Sequence, residues 1–187
     1  MSVVGNSFGV AVAWQFASQF PTRSLGLVLV NGGPAPNLPA PVRRFFTMPP
    51  MRQLIMAVFR WNAYSRSTLK RAFADPSRAP AQLVDTLTHP SPPQLERVRA
   101  AVLGDEEPYP HPQVPVLLLW GEQDRLLGSD AAAARRLSGT LGGSQLTFIA
   151  EAGHMPQVER PEQFVRALLW FIDHPSPAQV QSPHGTS

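Results

Sequence analysis

The 187-residue sequence, 43% hydrophobic and 16% charged, has the size and composition of one domain able to bury its own core. The absence of cysteine excludes disulfides, thiolate metal sites and a cysteine nucleophile, and no apolar run reaches the length of a membrane span. The net charge of +3 is uneven: between residues 41 and 80, Arg43, Arg44, Arg52, Arg60, Arg66, Lys70, Arg71 and Arg78 stand against Asp75 alone. Such a segment is a solvated basic face or an attractor for an anionic substrate or an acidic membrane surface. Without a nucleic-acid motif or a sustained charge run, it does not point to a nucleic-acid partner. No basic-then-apolar leader opens the sequence, and the compartment stays open.

Val3 and Val4 read as the stub of a buried strand, and residues 10–20 as a helix. Between them Gly5-Asn6-Ser7-Phe8-Gly9 matches G-x-S-x-G. A serine at the apex of a sharp strand-to-helix turn has strained backbone angles, so small residues must flank it two positions away on each side. The turn lifts the hydroxyl clear of the sheet and puts the N–H of Phe8 where an oxyanion would form. A serine here also suits a helix N-cap, and the pentapeptide alone does not separate the two roles.

The almost unbroken apolar run at 24–31 predicts a parallel strand covered on both faces, completing a strand-helix-strand unit that starts at residue 3. Residues 34–113 then contain no strand signal. Met51, Leu54, Ile55, Val58 and Phe59 fall at helical spacing, and 65–74, 79–88 and 92–103 read as short helices punctuated by proline. Eighty residues are too many for a loop in a compact domain, so this stretch reads as an inserted helical unit. Its Phe45, Phe46, Met48, Met51, Met56, Phe59 and Trp61 either line an apolar pocket or form its ordinary core.

Residues 114–120 predict another buried strand, followed by the loop Gly121-Glu122-Gln123-Asp124. Ser129 opens a helix through 131–141, which stops at Gly142-Gly143, and 145–149 is the last strand. Glu151-Ala152-Gly153-His154 follows directly. Pro161 starts a final helix whose stripe of Phe164, Val165, Leu168, Leu169 and Ile172 is expected to pack on the sheet. From residue 174 to 187 the composition reads as a disordered tail.

A serine hydroxyl needs a base, and an imidazole acting as base needs a carboxylate to hold its tautomer. His154 and Asp124 are the candidates, each just past a predicted parallel strand, where the sites of open α/β sheets gather. Glu122 rivals Asp124, which also suits a turn cap, and His154 also suits a structural histidine. His89, His111, His174 and His184 lie beside prolines or in the tail, at no metal-ligand spacing, so no metal is expected. Glu151 reads as a solvated loop charge.

Three motifs together, Gly-Asn-Ser-Phe-Gly at 5–9, Trp-Gly-Glu-Gln-Asp at 120–124 and Gly-His-Met-Pro-Gln-Val-Glu-Arg-Pro at 153–161, resemble the α/β-hydrolase superfamily in its chain order Ser, Asp, His. The resemblance covers residues 1–173 and corresponds to the C-terminal two-thirds of such a protein. It implies a partial α/β-hydrolase fold, with a mostly parallel sheet flanked by helices. The core is expected at 1–33 and 114–173, a substrate-covering helical cap at 34–113. It further implies Ser7 as nucleophile, Asp124 as acid, His154 as base, Phe8 N–H as one oxyanion donor, and no cofactor. The reaction implied is hydrolysis of an ester or related acyl bond of a small, largely apolar substrate through an acyl-serine.

Two departures stand out. Val10 occupies a position where relatives commonly carry a second glycine. Relative to a complete member, the first strands and the loop with the second oxyanion donor, which precede the elbow, are missing, and losing one such donor costs about 10²–10³ in rate. The alternative is therefore a truncated, catalytically incomplete fragment or a binding module. Segment 75–90 resembles the pheophytinase-like branch, and Gly153-His-Met-Pro-Gln157 resembles carbon–carbon bond hydrolases acting on aromatic ring-cleavage products.

Overall fold

The computed structural model describes residues 1–33, 48–51, 53, 54, 57, 65–88, 110–126 and 129–175. Its centre is a parallel four-stranded sheet: β1 (Ser2–Asn6), β2 (Gly26–Val30), β3 (Val116–Gly121) and β4 (Gln145–Ile149), side by side in chain order. Leu27 of β2 lies opposite both Val3 of β1 and Val116 of β3, and Leu118 of β3 lies opposite Leu146 of β4. The unbroken apolar runs are explained by burial on two faces. On one face Leu27, Leu29, Val116 and Leu118 pack with Val10, Ala13, Trp14 and Ala17 of helix α1 (Gly9–Gln19) and with Leu141. On the other, Val28, Val30, Leu117 and Leu119 pack with Ile149, Ala152 and Phe171. Alternate residues of each strand thus feed opposite cores, as the two-residue pleat requires.

Four further helices are described: α2 (Arg66–Arg71), α3 (Ala81–Thr88), α4 (Ala131–Thr140) and α6 (Pro161–Asp173), with the single turn α5 (Pro156–Glu159) before the last. The Ser65 side chain caps α2 by accepting from Thr68 N, and Asp75 accepts from Ser77 N ahead of a 3₁₀ turn at Pro76–Arg78. Those Ser77 hydrogen bonds, from its hydroxyl and its N–H, hold the Asp75 carboxyl below the ordinary carboxylate range. In the basic segment Arg66 pairs with Asp85 and Arg78 with Asp75, all four side chains well exposed, so these contacts contribute little to stability. Arg43, Arg44, Arg52, Arg60, the expected helix at 92–103, most of the stripe from Met51 to Phe59 and all but the first two tail residues lie outside the described residues. Among those described, no helix is long and apolar enough to cross a membrane.

Four expectations need correction. Val4 is not buried: β1 pairs on one side only among the described residues, and Val4 keeps 46% of its surface exposed. The helix after Ser129 is capped by Asp130, whose carboxylate accepts from Ala133 N, while Ser129 turns inward. The turn α5 was not anticipated, because Pro156 and Pro161 bracket it so closely that it reads as loop. On α6 the packed row is Phe164, Ala167, Leu168 and Phe171, whereas Val165, Leu169 and Ile172 face solvent with Trp170. Spacings of three, four and seven from Phe164 place Phe171, the most deeply buried side chain of that row, on the sheet, and the row through Val165 and Ile172 is displaced from it.

Candidate active site

The C-terminal ends of all four strands meet at one rim. β1 leads to Ser7, β2 to Asn31, β3 to Asp124 and β4, after four residues, to His154. Ser7 has φ 53°, the left-handed region that a side chain with a Cβ avoids. Its N–H donates to Val30 O at 3.0 Å, and its carbonyl accepts from Val10 N at 3.0 Å, which locks the turn between strand and helix. Gly5 explains half of the motif: a Cβ there would collide with the carbonyl of Gly9 and lie 2.8 Å from Cα of Val10. Val10, fully buried, fits against Gly32 on the next strand end, so the departure from glycine at this position is accommodated. Phe8 stands at the N-terminal end of α1 with its ring partly exposed.

Asp124 and His154 are joined directly. His154 Nδ1 lies 2.7 Å from Asp124 Oδ2, with the carboxylate side chain fully buried and the imidazole 10% exposed. A carboxylate only accepts, so Nδ1 carries the proton and Nε2 of the neutral ring is left as an acceptor. The other oxygen of Asp124 accepts from Leu126 N at 2.9 Å. Asp124 therefore caps its own turn and holds the histidine at once. Glu122 points to solvent, and Glu151 is exposed in an ion pair with Arg160.

The elbow and the histidine loop are stapled by Asn6, whose Nδ2 donates to Val30 O and to His154 O, each at 3.2 Å. This brings the residue preceding Ser7 against the backbone of His154. From the other side, His154 N donates to Ala72 O at 2.6 Å. The buried carboxylate of Glu159 accepts from Gly153 N and from Ala74 N, both at 2.7 Å. Of the other histidines, His111 packs by Trp14 and His174 stacks on Trp170, while His89 and His184 lie outside the described residues.

The family model for the alpha/beta hydrolase family matches residues 2–167. The chain belongs to that family. This alpha/beta hydrolase is 28% identical to the 2-hydroxy-6-oxo-2,4-heptadienoate hydrolase of Pseudomonas putida, over 92% of the chain and 63% of the relative. It is 26% identical to a 2-hydroxy-6-oxononadienedioate/2-hydroxy-6-oxononatrienedioate hydrolase of Burkholderia vietnamiensis, over 91% and 61%. The chain thus spans less than two-thirds of the length of these curated relatives. In fold it is similar to a serine hydrolase of Cycloclasticus zankles (TM-score 0.60, 18% identity, 92% of this chain and 64% of that one). It is also similar to a thermophilic esterase of Thermogutta terrifontis (TM-score 0.58, 24% identity, 91% and 63%). The hydrolase fold is accordingly present in part, as the sheet and its flanking helices indicate.

Asn6, Asn31 and Glu159 were not singled out in the sequence, and Ser129 was read only as the start of a helix. Asn31 carried a usable signal, since an amide at the end of an apolar strand, followed by Gly32-Gly33, is the one polar side chain in the buried run from Gly26 to Asn31. Glu159 carried none, because its partners Gly153 and Ala74 are backbone amides.

Proposed function

We propose that this alpha/beta hydrolase cleaves an ester or related acyl bond of a small, largely apolar substrate through an acyl-serine on Ser7. The observation that carries the proposal is the buried 2.7 Å contact between His154 Nδ1 and Asp124 Oδ2, in a loop stapled to the elbow of Ser7. In this mechanism Nε2 of His154 takes the Ser7 hydroxyl proton as Oγ attacks the carbonyl carbon. Asp124 stabilises the imidazolium, and the Phe8 N–H is one donor to the tetrahedral oxyanion. His154 then protonates the leaving group, and a water activated by the same nitrogen hydrolyses the acyl-serine. Residues 34–113 are the substrate-covering cap in this proposal, supported by the bonds that tie Ala72 and Ala74 to the histidine loop. No cofactor enters.

The test is labelling of the 187-residue protein with a fluorophosphonate. Labelling of Ser7, abolished by Ser7→Ala and reduced by His154→Ala, is the expected result. Folded protein that takes up no label would sink the enzyme proposal and leave a catalytically incomplete or binding role. A second reading, hydrolysis of a 2-hydroxy-6-oxo-dienoate, is favoured by the two curated relatives, whose names carry that substrate class. Turnover of such a dienoate, in the absence of turnover of p-nitrophenyl esters, would select it.

A further inference from the structure

We propose that Asn31 is a positioning residue for the acid of this site, setting the orientation of Asp124 by donating to the same carboxylate oxygen that accepts the hydrogen bond of His154 Nδ1. The inference rests on the serine-hydrolase proposal for its catalytic consequence, but not for its structural content. Asn31 Nδ2 lies 2.7 Å from Asp124 Oδ2, the oxygen that is also 2.7 Å from His154 Nδ1. Its Oδ1 accepts from Gly121 N at 3.0 Å, at the end of β3. Its backbone carbonyl accepts from Ser129 Oγ at 3.1 Å, and its N–H donates to Leu119 O at 3.2 Å. The residue is 1% exposed, and both ends of its side-chain amide are bonded.

The amide orientation follows from its neighbours. Gly121 offers an N–H and needs an acceptor, and Asp124 offers a carboxylate and needs a donor. Aspartate in this place would lose the donor, serine could not span both partners, and glutamine is one methylene too long. Asn31 also has φ 45°, a conformation asparagine tolerates better than most side chains. One residue thus fixes the β3 end and the carboxylate rotor together. Oδ2 accepts both donors at once, and the Asn31 bond restrains the carboxylate from turning away when the imidazole charges.

Two variants separate this role from plain scaffolding. Asn31→Gly suits the backbone angle and removes both side-chain bonds. Asn31→Asp keeps the acceptor for Gly121 N but replaces the donor to Asp124 with a second carboxyl. In both, fluorophosphonate labelling of Ser7 at saturating probe is expected to slow by at least about tenfold, the range that a hydrogen bond to a charged group represents, with the half-saturating probe concentration unchanged. The proton on His154 Nδ1, followed by NMR in histidine-labelled protein and assigned with His154→Ala, is expected to shift in both variants. Labelling of Asn31→Asp at the wild-type rate would reduce Asn31 to an anchor for Gly121. An unshifted His154 proton in both variants, or a wild-type spectrum without a hydrogen-bonded Nδ1 proton, overturns the proposal outright. The NMR arm reads the network even in protein that takes no label, so a failed serine-hydrolase proposal and a failed role for Asn31 remain distinct results.

Discussion

At the scale of single residues, the site is a set of polar groups whose partners are spent on geometry. Glu159 is the clearest case: a buried carboxylate whose two oxygens each take a backbone N–H, one from Gly153 beside the histidine and one from Ala74. Glu159→Gln can keep one of these bonds but turns its amide N–H₂ toward the other donor. A hydrogen bond to a charged group contributes about 1.5–3 kcal/mol, so a loss of about 2 kcal/mol is expected. For a chain of this length that lowers Tm by roughly 4–8 °C, measured by calorimetry, and an unchanged Tm would remove Glu159 from this role. Gly153 sits tightly in the same clasp, since a Cβ on it would lie 2.7 Å from Ala74 N. The placement of Ser7, Asp124 and His154 at one rim was legible because serine, aspartate and histidine each stand in a recognisable local spelling just past a strand signal. Asn31 stood out only as a polar side chain ending an apolar run, and Glu159 not at all, because their partners Gly121 and Ala74 lie 90 and 85 positions away in the chain. Only the assembled sheet brings such partners together.

At the scale of elements, β2 and β3 were readable because two-sided burial writes an apolar run with no period; β2 falls inside its predicted bounds, and β3 runs one residue past its own, to Gly121. The face of α6 was not. Val165, Leu169 and Ile172 are as apolar as Phe164 and Leu168, so composition offers two rows at helical spacing, and only packing against Val28, Val30 and Leu119 selects one. Phe171, 1% exposed, is the anchor of the chosen row, whereas Trp170, 61% exposed, stacks on His174 at 4.0 Å outside the core. Adjacent aromatic residues therefore have very different weights. Phe171→Ala opens a cavity against the sheet and is expected to cost about 3–5 kcal/mol. Trp170→Ala removes a surface stack and is expected to change stability by no more than about 0.5 kcal/mol. Urea denaturation of the pair measures both. Equal losses in the two variants would mean that the helix is rotated from the orientation described.

At the scale of the whole molecule, the four parallel strands carry two helical layers, and among the described residues the sheet has two unlike edges. β4 is the far one, and its residues are all at least partly shielded. β1 is the near one, hydrogen-bonded to β2 alone among the described residues, with Val4 exposed on it. An apolar strand edge with unpaired backbone groups is a template for further pairing, and proteins blunt such edges with charge, lysine above all. β1 carries no charge: Ser2, Val3, Val4, Gly5 and Asn6 are all neutral. The expected behaviour is self-association of this chain through β1 at high concentration. Val4→Lys places a charge on the edge without touching Val3, which packs on the α1 core, or Gly5, which the elbow requires. The variant should shift the sedimentation profile toward monomer at equal concentration while leaving Tm within a few degrees, because an exposed side chain contributes little to folding. If Val4→Lys sediments as the unaltered chain does, β1 is not the associating edge. A large fall in Tm would instead mean that Val4 is covered, and the edge with it.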